Sequence, residues 1–155
     1  FSMGGLIALY LAAHHPVDSV VTLAAPVKLN DWRQILVPLG KYLIPYYQSR
    51  ISNPDIAAQL EANYERIPTE AIHSMLRLAR RVRADLPRIT APVLALQGDQ
   101  DRWVTPDSAA HIVERVSSRS RRLMLLPGRR HFIALEHGRE EVCRVVLSWV
   151  VEHSG

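Results

Sequence analysis

Ser2 is the first residue in the chain whose type and position could carry chemistry. It is followed by Met3, Gly4 and an apolar run that predicts a helix. A serine at a sharp strand-to-helix turn, in the pattern G-x-S-x-G, forms a nucleophile elbow, in which small neighbours leave the hydroxyl exposed. Gly4 is the second glycine of that pattern, and the first would precede Phe1. Ser2 could equally be an ordinary helix N-cap, a position that serine favours.

A nucleophilic serine also needs a histidine to accept its proton and a carboxylate to orient the histidine. After an elbow, the chain order is serine, acid, histidine. Asp99 and Asp101 follow a predicted strand that ends at Gln97, and the loop after the next predicted strand contains His131. The carboxyl ends of parallel strands form one ligand-binding edge. The order therefore predicts an acid and a base near Ser2, and the loop positions leave both aspartates open as the acid.

Seven histidines are present, and each is a possible base. His131 is favoured because it lies in a loop just beyond a strand, whereas His137 falls later, beside a predicted helix start. The remaining five lie inside predicted helices or near helix ends, where a positive side chain suits the dipole: His14, His15, His73, His111 and His153. No H-E-x-x-H or other metal-ligand spacing occurs, which argues against a metallohydrolase.

The composition is typical of one soluble globular unit. The 155 residues are 48% hydrophobic and 22% charged, with a net charge of +4, which excludes a disordered or collagen-like chain. No apolar run reaches the roughly 18 residues that span a bilayer, so no membrane insertion is expected. The one cysteine, Cys143, can form no intrachain disulfide, which fits a reducing cytoplasm.

Arginine accounts for 17 of the 19 basic residues. The densest cluster, at 77–83, is interleaved with apolar residues, so it is interpreted as the solvent-facing side of an amphipathic helix. No nucleic-acid partner is expected, because no aromatic residues or recognised nucleic-acid-binding motif accompany the cluster. Since the chain opens on Phe1, directly at the elbow, we expect it to be a piece of a longer protein.

Hydrophobic periodicity predicts the elements that must position these residues. Strands are predicted at 17–25, 93–97 and 122–126, and helices at 3–15, 106–116 and 139–151. This alternation indicates βαβ crossovers and a mostly parallel sheet flanked by helices. Prolines divide residues 26–85 into short pieces without a strand pattern, and helices are predicted there at 54–65 and 68–83. The predicted organisation is a core of 1–25 and 86–155 with a helical insertion at 26–85.

These features resemble the C-terminal two-thirds of an α/β-hydrolase, specifically of the bacterial carboxylesterase and monoacylglycerol lipase group. The resemblance covers nearly the whole chain and implies the α/β-hydrolase fold without its N-terminal strands, with the insertion as a small helical cap. The segments that carry the resemblance are Ser2-Met3-Gly4-Gly5, Asn53-Pro54-Asp55, Pro68-Thr69, Gly98 with Asp101, Val104 and Pro106, and His131.

The resemblance implies a role for each matching residue. Ser2 would be the nucleophile, Asp101 the acid and His131 the base, while the backbone N–H of Met3 would donate to the oxyanion. The family pattern places the acid three residues after the glycine, which favours Asp101 over Asp99. No cofactor is implied. The chain departs from the group's pattern in the two arginines at 129–130 and in the glutamate at 136.

The activity implied by the resemblance is hydrolysis of short- to medium-chain carboxylic esters or monoacylglycerols by a serine enzyme. The cap would supply an apolar acyl pocket, although the same side chains could instead form the cap's own core. The rival functions are another hydrolase of this fold, such as a serine aminopeptidase or a haloperoxidase-like or ring-opening enzyme, and a non-catalytic binding module. The candidate pocket residues are Trp32, Ile35, Leu36, Tyr42, Ile44, Tyr46 and Tyr47.

Overall fold

The computed structural model of the protein describes residues 1–28, 44–48 and 66–154. The chain divides into two compact units. The first combines Phe1–Asn30 with Leu78–Gly155, and the second is Asp31–Arg77. Among the helices of the described residues, none has the length and apolar content needed to cross a membrane.

A parallel sheet lies at the centre of the first unit. It contains β1 (Val20–Leu23), β4 (Val93–Gly98) and β5 (Arg121–Leu126), in the order β1-β4-β5. All six residues of β4 are buried, as expected for the middle strand of a parallel sheet with helices on both faces. The parallel register brings the carboxyl ends of β4 and β5 side by side. The loops that follow these two strands therefore leave the sheet from the same edge.

The helices of this unit are α1 (Met3–His14), α3 (Asp107–Arg115) and α4 (Arg139–His153), and a short 3₁₀ helix covers Leu86–Arg88. A hydrophobic core joins the sheet to α4, because side chains of β4 and β5 pack with helical residues that recur at intervals of three to four. Its buried members are Leu94, Leu96, Leu126, Ile133, Val142 and Trp149. This packing fixes the positions of the loops after β4 and β5.

Residues 26–85 contain two short strands that the sequence does not predict. β2 (Tyr46–Gln48) and β3 (Arg66–Pro68) pair in an antiparallel ladder, with Tyr47 opposite Ile67. Three residues are too few to show a period-two pattern, and the prolines at 45 and 68 are more readily interpreted as helix starts or breaks. Pro68 ends β3, and α2 (Thr69–Asp85) begins directly after it. The helix predicted at 54–65 lies outside the described residues.

The predicted fold class is confirmed. In the first unit each predicted helix and strand is present, and the ends differ by at most three residues. The largest differences are at β1, which is predicted at 17–25 and spans Val20–Leu23. Ala24 and Ala25 extend the apolar run beyond the residues that pair with β4, whereas the polar Asp18 and Ser19 precede them.

Candidate active site

Ser2 has the backbone of a strained turn. Its φ is 49° and its ψ is −125°, a region that residues with a side chain rarely occupy and that often marks functional sites. An ordinary N-cap has a β-region backbone and a side chain bonded to the first helical turn. The Ser2 hydroxyl makes no such bond within α1. The geometry thus differs from the N-cap interpretation and matches that of a nucleophile elbow.

Main-chain contacts hold this turn against the sheet. The Ser2 N–H donates to the carbonyl of Leu23, at the end of β1, over 2.8 Å, and the Gly5 N–H donates to the Ser2 carbonyl over 2.8 Å. A Cβ at Gly5 would lie 2.8 Å from the Cβ of Ala25. Because there is no room for a side chain there, glycine lets the first turn of α1 lie directly on the loop after β1.

His131 links the serine to a carboxylate. Its Nε2 lies 3.1 Å from Ser2 Oγ, and its Nδ1 lies 2.8 Å from Asp101 Oδ2. An ionised carboxylate only accepts hydrogen bonds, so the Nδ1–H donates to Asp101, and Nε2 is left to accept the hydroxyl proton of Ser2. The side chain of Asp101 is fully buried, and that of His131 is 7% exposed. Three residues far apart in sequence are therefore joined in one hydrogen-bonded row.

Asp101 accepts four hydrogen bonds. Oδ1 accepts the backbone N–H groups of Trp103 at 2.8 Å and Val104 at 3.0 Å. Oδ2 accepts His131 and the side-chain amide of Gln97, at 2.7 Å. Burial raises the pKa of Asp101, but the bond from His131, the backbone bonds and the attraction of the imidazole outweigh it, so the pKa lies below its ordinary value. The acid is held as a carboxylate.

Asp99, the other possible acid, faces a different group. Its Oδ1 accepts the backbone N–H of Gly128 over 2.7 Å. The adjacent Gln100 N–H donates to the carbonyl of Arg129 over 2.9 Å. These bonds tie the loop after β4 to the loop after β5. Asp99 thus helps to join the two loops, and Asp101 is the aspartate that meets the histidine.

Gly98 is needed where these loops cross. A Cβ at this position would overlap the carbonyl oxygens of Arg129 and Arg130. Both are backbone atoms, which cannot move aside as the end of a flexible side chain would. Glycine at the end of β4 therefore lets the next loop pass close enough to place His131 beside Asp101.

Three aromatic rings surround the imidazole of His131. The ring centroids of Phe1, Trp103 and Phe132 lie 5.1, 5.8 and 5.3 Å from that of His131. The indole of Trp103 is within 12° of parallel to the imidazole, and 44% of the residue is exposed. These rings limit the orientations of the imidazole. No sequence pattern marks these three rings, because their closeness to His131 depends on how the loops fold.

Two of the residues that depart from the family pattern, Arg130 before His131 and Glu136 after it, are hydrogen-bonded to each other. The N–H of Arg130 donates to Glu136 Oε2 over 2.9 Å, so the glutamate anchors the main chain next to His131.

Met3, the proposed oxyanion donor, is the first residue of α1. Backbone N–H groups in the first turn of a helix have no partner within the helix and carry partial positive charge.

The predicted acyl-pocket residues are described only in part. Trp32, Ile35, Leu36 and Tyr42 lie outside the described residues, and Tyr47 belongs to β2. Ile44 and Tyr46 are 62% and 56% exposed, so neither side chain is buried in a core of the second unit.

Within the described ranges, no three side chains of the types His, Cys, Asp and Glu are grouped so that they could hold a metal ion.

Comparison with known proteins identifies relatives along nearly the whole chain. The family described as "Serine aminopeptidase, S33" (Hydrolase_4) matches residues 1–138. The chain is 30% identical to a thermostable monoacylglycerol lipase of Bacillus sp. (strain H-257), over 99% of this chain and 62% of the relative. It is 28% identical to a monoacylglycerol lipase of Mycolicibacterium smegmatis, over 98% of this chain and 60% of the relative.

Solved structures give the same fold. The monoacylglycerol lipase of Paleococcus ferrophilus superposes with a TM-score of 0.82 at 23% identity, over 98% of this chain and 66% of that one. A soluble variant of the monoglyceride lipase of Saccharomyces cerevisiae gives 0.80 at 20% identity, over 98% and 63%. The chain spans about three-fifths of the length of the curated relatives that it matches.

Proposed function

Because the chain belongs to the Hydrolase_4 family of α/β-hydrolases, we propose that the full-length protein is a serine carboxylester hydrolase. Its substrates are short- to medium-chain carboxylic esters or monoacylglycerols, and the reaction proceeds through an acyl-enzyme. The single observation that carries the proposal is the row Asp101–His131–Ser2, with contacts of 2.8 and 3.1 Å.

In the proposed reaction, Ser2 Oγ attacks the ester carbonyl while His131 Nε2 takes the hydroxyl proton. The negative charge on the carbonyl oxygen is stabilised by the N–H of Met3 and by the N-terminus of α1. Asp101 stabilises the imidazolium and keeps its Nδ1 protonated. His131 then gives its proton to the departing alkoxide, which leaves as an alcohol. Water, deprotonated by His131, then attacks the acyl carbon; the bond to Ser2 Oγ breaks, His131 returns the proton to Oγ, and the acyl group leaves as a carboxylic acid.

The proposed substrate class rests on the relatives. Two of them are named monoacylglycerol lipases and a third, from Bacillus subtilis, a carboxylesterase. A serine aminopeptidase is the second candidate, because the matching family carries that description. The same triad would cleave an amide, so the two functions differ in the substrate pocket and in the leaving group.

Two measurements on the full-length protein test the proposal. A fluorophosphonate probe should label the protein at Ser2, and Ser2→Ala should abolish both labelling and hydrolysis of p-nitrophenyl butyrate. Asp101→Asn should lower kcat strongly, and its matched control, Asp99→Asn, should change kcat little. Absence of labelling would refute the serine-hydrolase assignment, while turnover of aminoacyl p-nitroanilides in preference to esters would favour the aminopeptidase.

Chain-length dependence tests the substrate class. Hydrolysis should be fastest for short- and medium-chain p-nitrophenyl esters and monoacylglycerols, and it should fall for long-chain triglycerides. A sharp rise in activity once the substrate forms micelles would contradict this preference, because it is the behaviour of an interfacial lipase.

A further inference from the structure

Gln97 is a buried polar side chain in the middle strand of the sheet. It lies in β4, where it follows four apolar residues and precedes the terminal glycine. Its exposed fraction is 0%. A buried amide is costly unless it is hydrogen-bonded, so its partners indicate why it is there.

The amide nitrogen of Gln97 has two acceptors. It donates to Asp101 Oδ2 over 2.7 Å and lies 3.4 Å from the carbonyl oxygen of Val104. The opposite orientation of the amide would place its oxygen against a carboxylate and a carbonyl, and three acceptors would then repel one another. The surroundings therefore fix the nitrogen towards Asp101.

The other end of the amide gains nothing from this position. Gln97 Oε1 is buried and has no hydrogen-bond partner among the described residues. A side chain placed only to fill the core would be more favourable without that orphaned acceptor. The buried position of Gln97 is therefore explained by the hydrogen bond from its amide nitrogen. This nitrogen is one of the two donors to Asp101 Oδ2, and His131 Nδ1 is the other.

We propose that Gln97 is a positioning residue, which holds Asp101 Oδ2 in line with the Nδ1–H of His131. This inference rests on the proposed function, because it concerns the acid of the same triad. Gln97 completes the set of four donors on the carboxylate. Together with the backbone donors on Oδ1, it restricts rotation of the carboxylate about its Cβ–Cγ bond, and it offsets part of the negative charge that His131 experiences.

Removal of this donor has two consequences. The carboxylate keeps its two backbone donors on Oδ1 but is held less firmly at Oδ2, so the imidazole is less often aligned for proton transfer, and kcat falls. The remaining negative charge is less neutralised, so the imidazolium is favoured and the acid limb of the kcat/KM profile moves to higher pH. Among the described residues, His131, from the loop after β5, is the titratable group in contact with Asp101. Asp99 is turned to Gly128.

Two variants of the full-length protein separate these effects from a loss of packing. Gln97→Met keeps the length and approximate volume but has no donor, and kcat per labelled active site should fall on the order of 10-fold with KM unchanged. Its acid limb should move to higher pH. Gln97→Glu can donate only while its new acid is protonated. It should stay close to the wild type at the acidic end and lose activity as the pH rises.

Thr22→Val is the matched control. Thr22 is also fully buried, lies on the neighbouring strand β1, and has no hydrogen-bond partner for its hydroxyl among the described residues. This nearly isosteric change should leave kcat per active site and the pH profile unchanged. Activity should be normalised to sites titrated with the fluorophosphonate, so that a poorly folded fraction does not count.

A spectroscopic measurement separates this inference from the proposed reaction. The low-field proton resonance of the His131 Nδ1–H should shift in Gln97→Met, whether or not an ester is turned over. An unchanged resonance together with a wild-type pH profile would overturn the positioning role, even if the variant were less stable. A wild-type protein that resists labelling while this resonance still shifts would refute the reaction and support the positioning role.

Discussion

Two histidine–aspartate pairs in the described part of the first unit have different surroundings. In the first, His131 Nδ1 lies 2.8 Å from Asp101 Oδ2, and its other nitrogen faces the hydroxyl of Ser2. The carboxylate of this pair is fully buried and bonded to neutral donors besides the histidine. Its charge is therefore available to stabilise an imidazolium.

The second pair joins α1 to the end of α2. His14 Nε2 lies 3.6 Å from Asp85 Oδ2, and its Nδ1–H donates to the carbonyl of Tyr10. Arg81 binds the same carboxylate oxygen over 2.7 Å, and Arg88 lies 3.9 Å from the other. Two arginines neutralise this aspartate, and the main chain occupies the other nitrogen of the histidine.

The comparison shows that a histidine beside an aspartate is not by itself a catalytic pair. Proton transfer requires that one imidazole nitrogen face the nucleophile and that the carboxylate not be neutralised by a cation. The first pair meets both conditions. The second links two helices and the 3₁₀ segment between α2 and β4.

Replacement of each histidine breaks the comparison most directly. In the full-length protein His131→Ala should lower kcat for p-nitrophenyl butyrate by about 10⁶-fold, because the serine then has no base. His14→Ala, the matched control, should leave kcat within about two-fold and cost about 1 kcal/mol of unfolding free energy through its lost hydrogen bond. Steady-state kinetics and urea unfolding of both variants provide the measurements. Comparable loss of kcat in the two would contradict the distinction.

Replacement of each aspartate sharpens the comparison between the two histidine–aspartate pairs. Asp101→Asn should reduce kcat by about 10⁴-fold, since the amide can donate to Nδ1 and favour the wrong tautomer of His131. Asp85→Asn should retain kcat and lower the melting temperature slightly, because it removes the partner of arginines whose side chains are more than half exposed. The two variants are compared by kcat from steady-state assays and by their melting temperatures. A large fall in kcat for Asp85→Asn at full folding would refute a purely structural second pair.

The core of the fold could be predicted because each of its elements has a strong local pattern. β4 is apolar from Val93 to Leu96, and α1 has two glycines in its first turn and ends shortly before a proline. The three-residue strands β2 and β3 are too short to show such a pattern. Their pairing depends on residues that meet across a long connection.

The candidate site could be predicted in the residues that stand at loop positions beyond strand ends. Asp101 and His131 have this placement, Ser2 directly precedes a predicted helix, and the structure brings the three together. For Gln97 the sequence pattern predicts only the end of a strand, although a polar residue in an otherwise apolar strand is an available signal. The contact between Trp103 and His131 had no sequence signal, because it arises where two separate loops approach each other.

The smallest expected effect concerns acid stability. The pKa of Asp101 in the folded protein is below its ordinary value of 3.8, because hydrogen bonds to the carboxylate outweigh its burial, so the folded state favours the ionised form. The resulting stabilisation is fully present above the unfolded-state pKa and is lost as the pH falls through the lower, folded-state pKa. Asp101→Asn lacks this contribution at every pH. At neutral pH the variant should melt a few degrees below the wild type, corresponding to about 1 kcal/mol, and the gap should narrow as the pH falls below about 4. Thermal melts of both proteins between pH 3 and 7, with Asp99→Asn as the control for an exposed carboxylate, provide the measurement. A gap that stays constant to pH 3 would mean that ionised Asp101 contributes nothing to the stability of the fold, and that its hydrogen bonds serve only to orient His131.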